Sequence, residues 1–190
     1  NNDCKSMNEV KEYYYNSGIV LFISYMLNGN DLHNENIIAC GPSPIVIDYE
    51  TLGGKIDQNV EFSFVDKLLR SSVMNSRMLP IRFGKEKSIN DFSGIGILMR
   101  KREKIILLDN EFTSEIREVV KYEITDDICT HLPKVKGEIF TFNNFKGDII
   151  KGFSEAYLFA IKNKKIILSI IQSKASNFYY RKVYRNTATY

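Results

Sequence analysis

The stretch Asn30-Asp31-Leu32-His33-Asn34-Glu35-Asn36 gathers acids, amides and an imidazole around a single leucine, and Asp48 and Glu50 follow a short way downstream. Polar groups set between apolar runs are costly to desolvate unless they are bonded or used. Asp31 and Asn36 stand five residues apart, the separation at which a phosphoryl-transfer loop carries its base and its metal-binding amide. That reaction needs positioning and charge neutralisation more than covalent chemistry. Asp31 suits the incoming hydroxyl, while the amide oxygen of Asn36 and the carboxylate of Asp48 suit Mg²⁺ held by few protein ligands plus phosphate oxygens. His33 serves either as a general acid/base or as an orienting group for Asp31, and the sequence leaves both open. Taken singly, each residue also fits a hydrogen-bonded loop or a strand-end cap. The combination of loop, second acid and flanking strands favours the metal site.

These residues need elements to hold them. Ile37-Ile38-Ala39 and Ile45-Val46-Ile47 flank Gly41-Pro42-Ser43-Pro44, the pattern of a β-hairpin. A turn centred between Pro42 and Ser43 places Asn36 opposite Asp48 or Tyr49, so amide and carboxylate converge. Upstream, Ser6-Met7-Asn8-Glu9 fits a capping box. It opens a helix carrying Val10, Tyr14, Leu21 and Tyr25, stopped by Asn28-Gly29, with Gly18 as a candidate break. Downstream, Phe64 to Val73 and Asp148 to Ile161 have helical spacing. Leu79 to Phe83, Gly94 to Met99 and Lys104 to Leu108 read as strands, the last two joined by a basic turn. Glu115 to Ile124 fits helix or strand, and Lys165 to Ile171 fits a strand or a buried helix segment. No repeat or linker divides the chain, so residues 1–190 form one α+β unit.

Composition bounds the function. The chain holds 26 Lys+Arg against 23 Asp+Glu, a net charge of +3, and is 44% hydrophobic with 11 Gly and 4 Pro. That excludes disorder and low-complexity architectures and argues against nucleic acid as a partner. The apolar run from Gly18 to Leu27 is too short to span a bilayer, so no stable membrane insertion is expected. Cys4, Cys40 and Cys129 are scattered without a C-x-x-C, which points to a reducing, cytoplasmic location.

Asp31-x-His33-x-x-Asn36 resembles the catalytic loop of lipid kinases of the phosphoinositide 3-kinase type. The longer strings from Asn28 to Ala39 and from Pro44 to Leu52 resemble the dehydratase domain of class II lanthipeptide synthetases (LanM). So do Ser72-Val73-Met74 with Met78-Leu79-Pro80, Asp91-Phe92-Ser93-Gly94, and Gly152-Phe153-Ser154-Glu155-Ala156-Tyr157. The tail Arg181-Lys182-Val183-Tyr184-Arg185-Asn186-Thr187-Ala188-Thr189-Tyr190 is similar to the family's closing Arg-x-x-x-Arg-x-Thr-x-x-Tyr. The resemblance implies a kinase-like C-terminal lobe of the lipid-kinase type, in which ATP phosphorylates Ser and Thr of a precursor peptide. Phosphate is then eliminated to leave dehydroalanine or dehydrobutyrine. It further implies that Asp31 and His33 act in phosphorylation and that Asn36 and Asp48 hold Mg²⁺ and ATP. Arg181 and Thr187 would act in elimination, where a guanidinium suits bidentate phosphate contact. Glu50 matches a family position as a secondary ligand or orienting carboxylate.

A complete kinase also has a nucleotide lobe with a strand lysine. The residues before Asp31 read as helix, so that lobe and its lysine are expected upstream, and a zinc-binding cyclase domain downstream. The isolated chain is accordingly expected to show little ATP-dependent activity. Gly53-Gly54-Lys55 is no P-loop, because Ile56 stands where Ser or Thr is required. Cys40 or Cys129 with His33 or His131 lacks any local hydrolase signature. Two further readings compete: a small-molecule phosphotransferase of the aminoglycoside or choline kinase type, and a non-catalytic, pseudokinase-like interaction module.

Overall fold

The computed structural model describes residues 2–49, 51–53, 62–80, 91–96, 100–110, 112–126 and 129–175. Helix α1 (Met7–Met26) buries Val10, Tyr13, Tyr14, Ser17, Gly18 and Leu21, the spacing of one helical face. Its entry differs from a full capping box. Ser6 is the extended N-cap residue but its hydroxyl makes no cap bond, and the Glu9 carboxylate accepts the Lys5 amide (2.8 Å) rather than that of Ser6. The exit is a Schellman motif: Asn28 takes φ +50°, its amide donates to Tyr25 O, and the Gly29 amide donates to Ser24 O (2.8 Å).

Gly18 does not break α1. It lets α3 (Lys146–Lys162) approach, since a Cβ on Gly18 would lie 2.1 Å from Ile149 O, and one on Gly152 would lie 1.9 Å from Tyr15 O. Around this glycine crossing, Tyr14 stacks on Phe145 (4.9 Å between ring centroids) and Phe22 meets Phe153 edge-on (5.6 Å). The buried phenols are satisfied by backbone. Tyr13 donates to His131 O (2.6 Å) and Tyr14 to Phe140 O (2.7 Å). Leu32, Ile37, Ala39, Met78 and Ile95 complete the same core, so the polar loop starts and ends on buried apolar anchors.

Strands β1 (Ile37–Cys40) and β2 (Ser43–Val46) pair antiparallel with Ile37 opposite Val46 and Cys40 opposite Ser43. The turn is therefore Gly41-Pro42, with Gly41 supplying a φ of +54°. This corrects the register expected from sequence: the Ile47 amide donates to Asn36 O (3.0 Å), so Ile47, not Asp48 or Tyr49, lies across from Asn36. Asn16 of α1 donates to Pro42 O (2.9 Å) and holds the hairpin turn against the helix. On the other side of β1, the Ala39 amide donates to Thr130 O (2.8 Å).

Two further hairpins follow. β3 (Arg100–Asp109) and β4 (Arg117–Asp126) form a long ribbon. Arg100–Glu103 thus belong to a strand rather than to a basic turn, and the Glu115 to Ile124 stretch is strand from Arg117 onward. β5 (Lys134–Val135) and β6 (Glu138–Ile139) close through Lys136 and Gly137, both at positive φ, as a type I′ turn requires. Residues 94–96 form a turn where a strand was expected; 97–99, and 81–83 of the Leu79 to Phe83 stretch, lie outside the described residues. Helix α2 (Phe64–Arg70) is capped by Ser63, whose Oγ accepts the Asp66 amide (3.1 Å). A 3₁₀ turn over Val73–Ser76 follows it. Helix α4 (Lys164–Ala175) has no buried residue, so the Lys165 to Ile171 stretch is helical but not a core segment.

Candidate functional site

The Schellman exit of α1 delivers the chain to Asp31, which takes φ +75°. A left-handed aspartate is uncommon and needs support from its surroundings. Asn36 provides part of it, its Nδ2 donating to Asp31 O (2.8 Å) and tying the two ends of the five-residue interval together. Leu32 is buried beneath the loop, and its amide donates to Ser76 O (2.9 Å). The Asp31 side chain projects beside two partners. Its Oδ1 lies 3.0 Å from Arg77 Nη1 and 4.0 Å from His33 Nε2. His33 Nδ1 accepts the Glu35 amide (3.2 Å), so the neutral ring carries its proton on Nε2, the nitrogen facing Asp31.

The second wall comes from residues 76–78 and 91–96. His33 and Ser93 form an antiparallel bridge, the Asn34 amide donates to Phe92 O (3.0 Å), the Gly94 amide to Arg77 O (3.2 Å), and the Ile95 amide to Met78 O (3.1 Å). Gly94 is required by close approach, because a Cβ there would sit 2.4 Å from Leu32 O and 2.5 Å from Ile37 Cδ1. Buried Asp91 accepts the Ser93 amide (3.0 Å) and stiffens this strap. Between the walls lies a cavity of about 520 Å³ lined by Asp31, His33, Asn34, Glu35, Arg77, Phe92 and Ser93. Arg77 was not singled out from the sequence. Phe92 and Ser93 lie in the string Asp91-Phe92-Ser93-Gly94, which carries the family resemblance without a role for either residue.

Asn36 and Asp48 flank the base of the β1–β2 hairpin, and Asp48 is exposed. The segment after Asp48 folds back to the loop: Thr51 Oγ1 donates to Asn30 O, and the Gly53 amide donates to Leu27 O (2.9 Å). With its nitrogen bound to Asp31 O, the Asn36 amide offers its oxygen as the remaining acceptor. An amide oxygen and a carboxylate fit a hard, oxygen-seeking cation such as Mg²⁺. No group of three or more His, Cys, Asp or Glu suited to a metal occurs among the described residues, so water and phosphate oxygens would complete any such shell. Glu50, Arg181 and Thr187 lie outside the described residues.

The other histidine sits in a different environment. Cys129 Sγ lies 3.7 Å from His131 Nδ1, and both residues are buried. Burial pushes the thiol pKa up and lowers that of His131 from 6.5 to about 4, partly offset by nearby Asp91. A cysteine nucleophile needs the opposite shifts, so this is a neutral packed pair. Its consequence is for stability. Below the unfolded-state pKa the unfolded chain takes up a proton that the folded chain resists, so stability falls as pH drops from about 6.5 to about 4. The shift corresponds to a loss of about 3 kcal/mol across that interval. Urea denaturation at successive pH values is expected to show this loss, and His131→Gln to flatten it by removing the titrating group.

A carboxylate, an imidazole and an amide on one loop, facing a cavity with an arginine, define a polar site able to bind and orient an oxygen-rich ligand. The chain belongs to a family described as a domain of unknown function (DUF4135), whose model matches residues 1–190. It is similar to the "Lacticin 481/lactococcin biosynthesis protein LcnDR2" of Lactococcus lactis subsp. lactis, at 32% identity over 202 residues. That similarity covers 97% of this chain and 21% of the relative, so the chain spans about a fifth of the relative's length. No helix among the described residues is long and apolar enough to cross a membrane.

Proposed function

We propose that this chain carries the phosphoryl-transfer loop of a lanthipeptide dehydratase with a kinase-like lobe of the lipid-kinase type. The complete enzyme acts on Ser and Thr of a precursor peptide. The observation that supports this most is Asp31, held left-handed with its carboxylate between Arg77 and His33 while Asn36 closes the loop beneath it. The relative's role in lacticin 481 biosynthesis supports the same reading.

In this proposal Asp31 accepts the proton of the peptide hydroxyl, and His33, whose Nε2 faces that carboxylate at 4.0 Å, acts in the same phosphorylation step. Asn36 and Asp48 hold Mg²⁺ through their oxygens. When bound, Mg²⁺-ATP supplies the phosphoryl group and neutralises charge as it transfers. Elimination then removes the Cα proton and breaks the Cβ–O bond, releasing phosphate and leaving the dehydro residue. Arg181 and Thr187 are assigned to the departing phosphate, which carries the negative charge that a guanidinium and a hydroxyl stabilise. A nucleotide lobe and a cyclase domain belong to the complete enzyme in this reading, which acts in the cytoplasm.

Arg181→Ala in the full-length protein separates the two half-reactions. Phosphorylated peptide is expected to accumulate, read as added phosphate by mass spectrometry. Unmodified peptide alone would show that Arg181 does not serve elimination.

A further inference from the structure

We propose that Arg77 is a positioning residue for phosphoryl transfer, fixing the carboxylate of Asp31 toward the incoming hydroxyl. This rests on the reading of Asp31 as the base. Arg77 closes the 3₁₀ turn over Val73–Ser76 in the left-handed region, at φ +59°. A side chain there costs more than glycine would, and nothing in the turn itself requires a guanidinium. The ion pair it makes is too exposed to offset that cost through stability, with side-chain exposures of 64% for Arg77 and 35% for Asp31. What the guanidinium does supply is the one close partner of the Asp31 carboxylate among the described residues. Nη1 lies 3.0 Å from Oδ1, whereas His33 Nε2 at 4.0 Å is beyond hydrogen-bond reach.

The backbone of Arg77 adds a second link. Its carbonyl accepts the Gly94 amide (3.2 Å), and Gly94 lies against the carbonyl of Leu32, next to Asp31 in the chain. The arginine therefore joins the 3₁₀ turn, the 91–96 strap and the catalytic loop at one point. A charge-assisted hydrogen bond on Oδ1 fixes the rotation of the carboxylate and leaves Oδ2 for the substrate proton. Sequence position alone hides this, since the two residues lie 46 apart.

Arg77→Gly in the full-length protein tests the proposal. Glycine suits φ +59°, so this variant is expected to unfold at no lower temperature than the wild type. Its kcat for peptide phosphorylation is expected to fall about 10- to 100-fold with an unchanged KM for ATP. Arg77→Lys is expected to recover part of the loss. In an Asp31→Glu background, where the carboxylate is already displaced, the effect of Arg77→Gly is expected to shrink. Wild-type kcat in Arg77→Gly beside an inactive Asp31→Ala would overturn the positioning role and leave the proposed function standing. A change confined to KM for ATP, or a loss of activity that tracks a lowered melting temperature, would overturn it too. Full phosphorylation by Asp31→Ala would instead remove the reading on which the proposal rests.

Discussion

Asp31→Asn in the full-length protein is expected to reduce peptide phosphorylation about a thousandfold while leaving the fold intact. The substitution keeps the size of the side chain. It also keeps a residue that tolerates the left-handed conformation, where Asp31 sits at φ +75°. The amide oxygen can still accept from Arg77, so the wall of the cavity is preserved. What disappears is the basic oxygen proposed to take the hydroxyl proton, together with the negative charge that Arg77 and His33 face. Thermal unfolding should therefore change little while the rate falls steeply. A variant that lost both together would point to a structural role for Asp31.

The second large effect concerns packing. Gly152→Val is expected to destabilise the folded state by about 3 kcal/mol, read as a lowered urea midpoint. A Cβ at Gly152 would meet Tyr15 O at 1.9 Å, and one at the facing Gly18 would meet Ile149 O at 2.1 Å. Both obstacles are backbone, so neither can rotate away, and α1 must separate from α3. Separation would loosen Tyr14 from Phe145 and Phe22 from Phe153. It would also disturb the exit of α1, from which the chain passes directly into Asp31. Peptide modification is thus expected to fall along with stability. An unchanged midpoint would show that the two helices can repack.

Features set by neighbouring residues were the ones legible in the sequence. The α1 stop at Asn28-Gly29, the β1–β2 hairpin and the body of α3 all follow from local turn chemistry and periodicity. Errors arose where local rules competed. Gly41-Pro42-Ser43-Pro44 contains several turn formers, and the positive φ of Gly41 decides for a turn one residue earlier than expected. Arg100–Glu103 resemble a basic turn by composition, yet the partner strand continues through Asp126 and draws them into the ladder. The apolar face of α4 has the spacing of a core helix, but burial depends on what packs against it. Within the site, Asp31, His33 and Asn36 were legible because they share one loop. Arg77 was not, nor was the place of Ser93 beside that loop, since only tertiary folding brings the 3₁₀ turn and the 91–96 strap to it.

The most direct test is the mass of the precursor peptide after incubation with ATP, Mg²⁺ and the full-length Arg181→Ala protein, with and without Asp31→Asn. Phosphate-bearing peptide is expected from the single variant and unmodified peptide from the double variant. Phosphorylated peptide from the double variant would show that phosphate is transferred without Asp31, and Asp31 would not be the base.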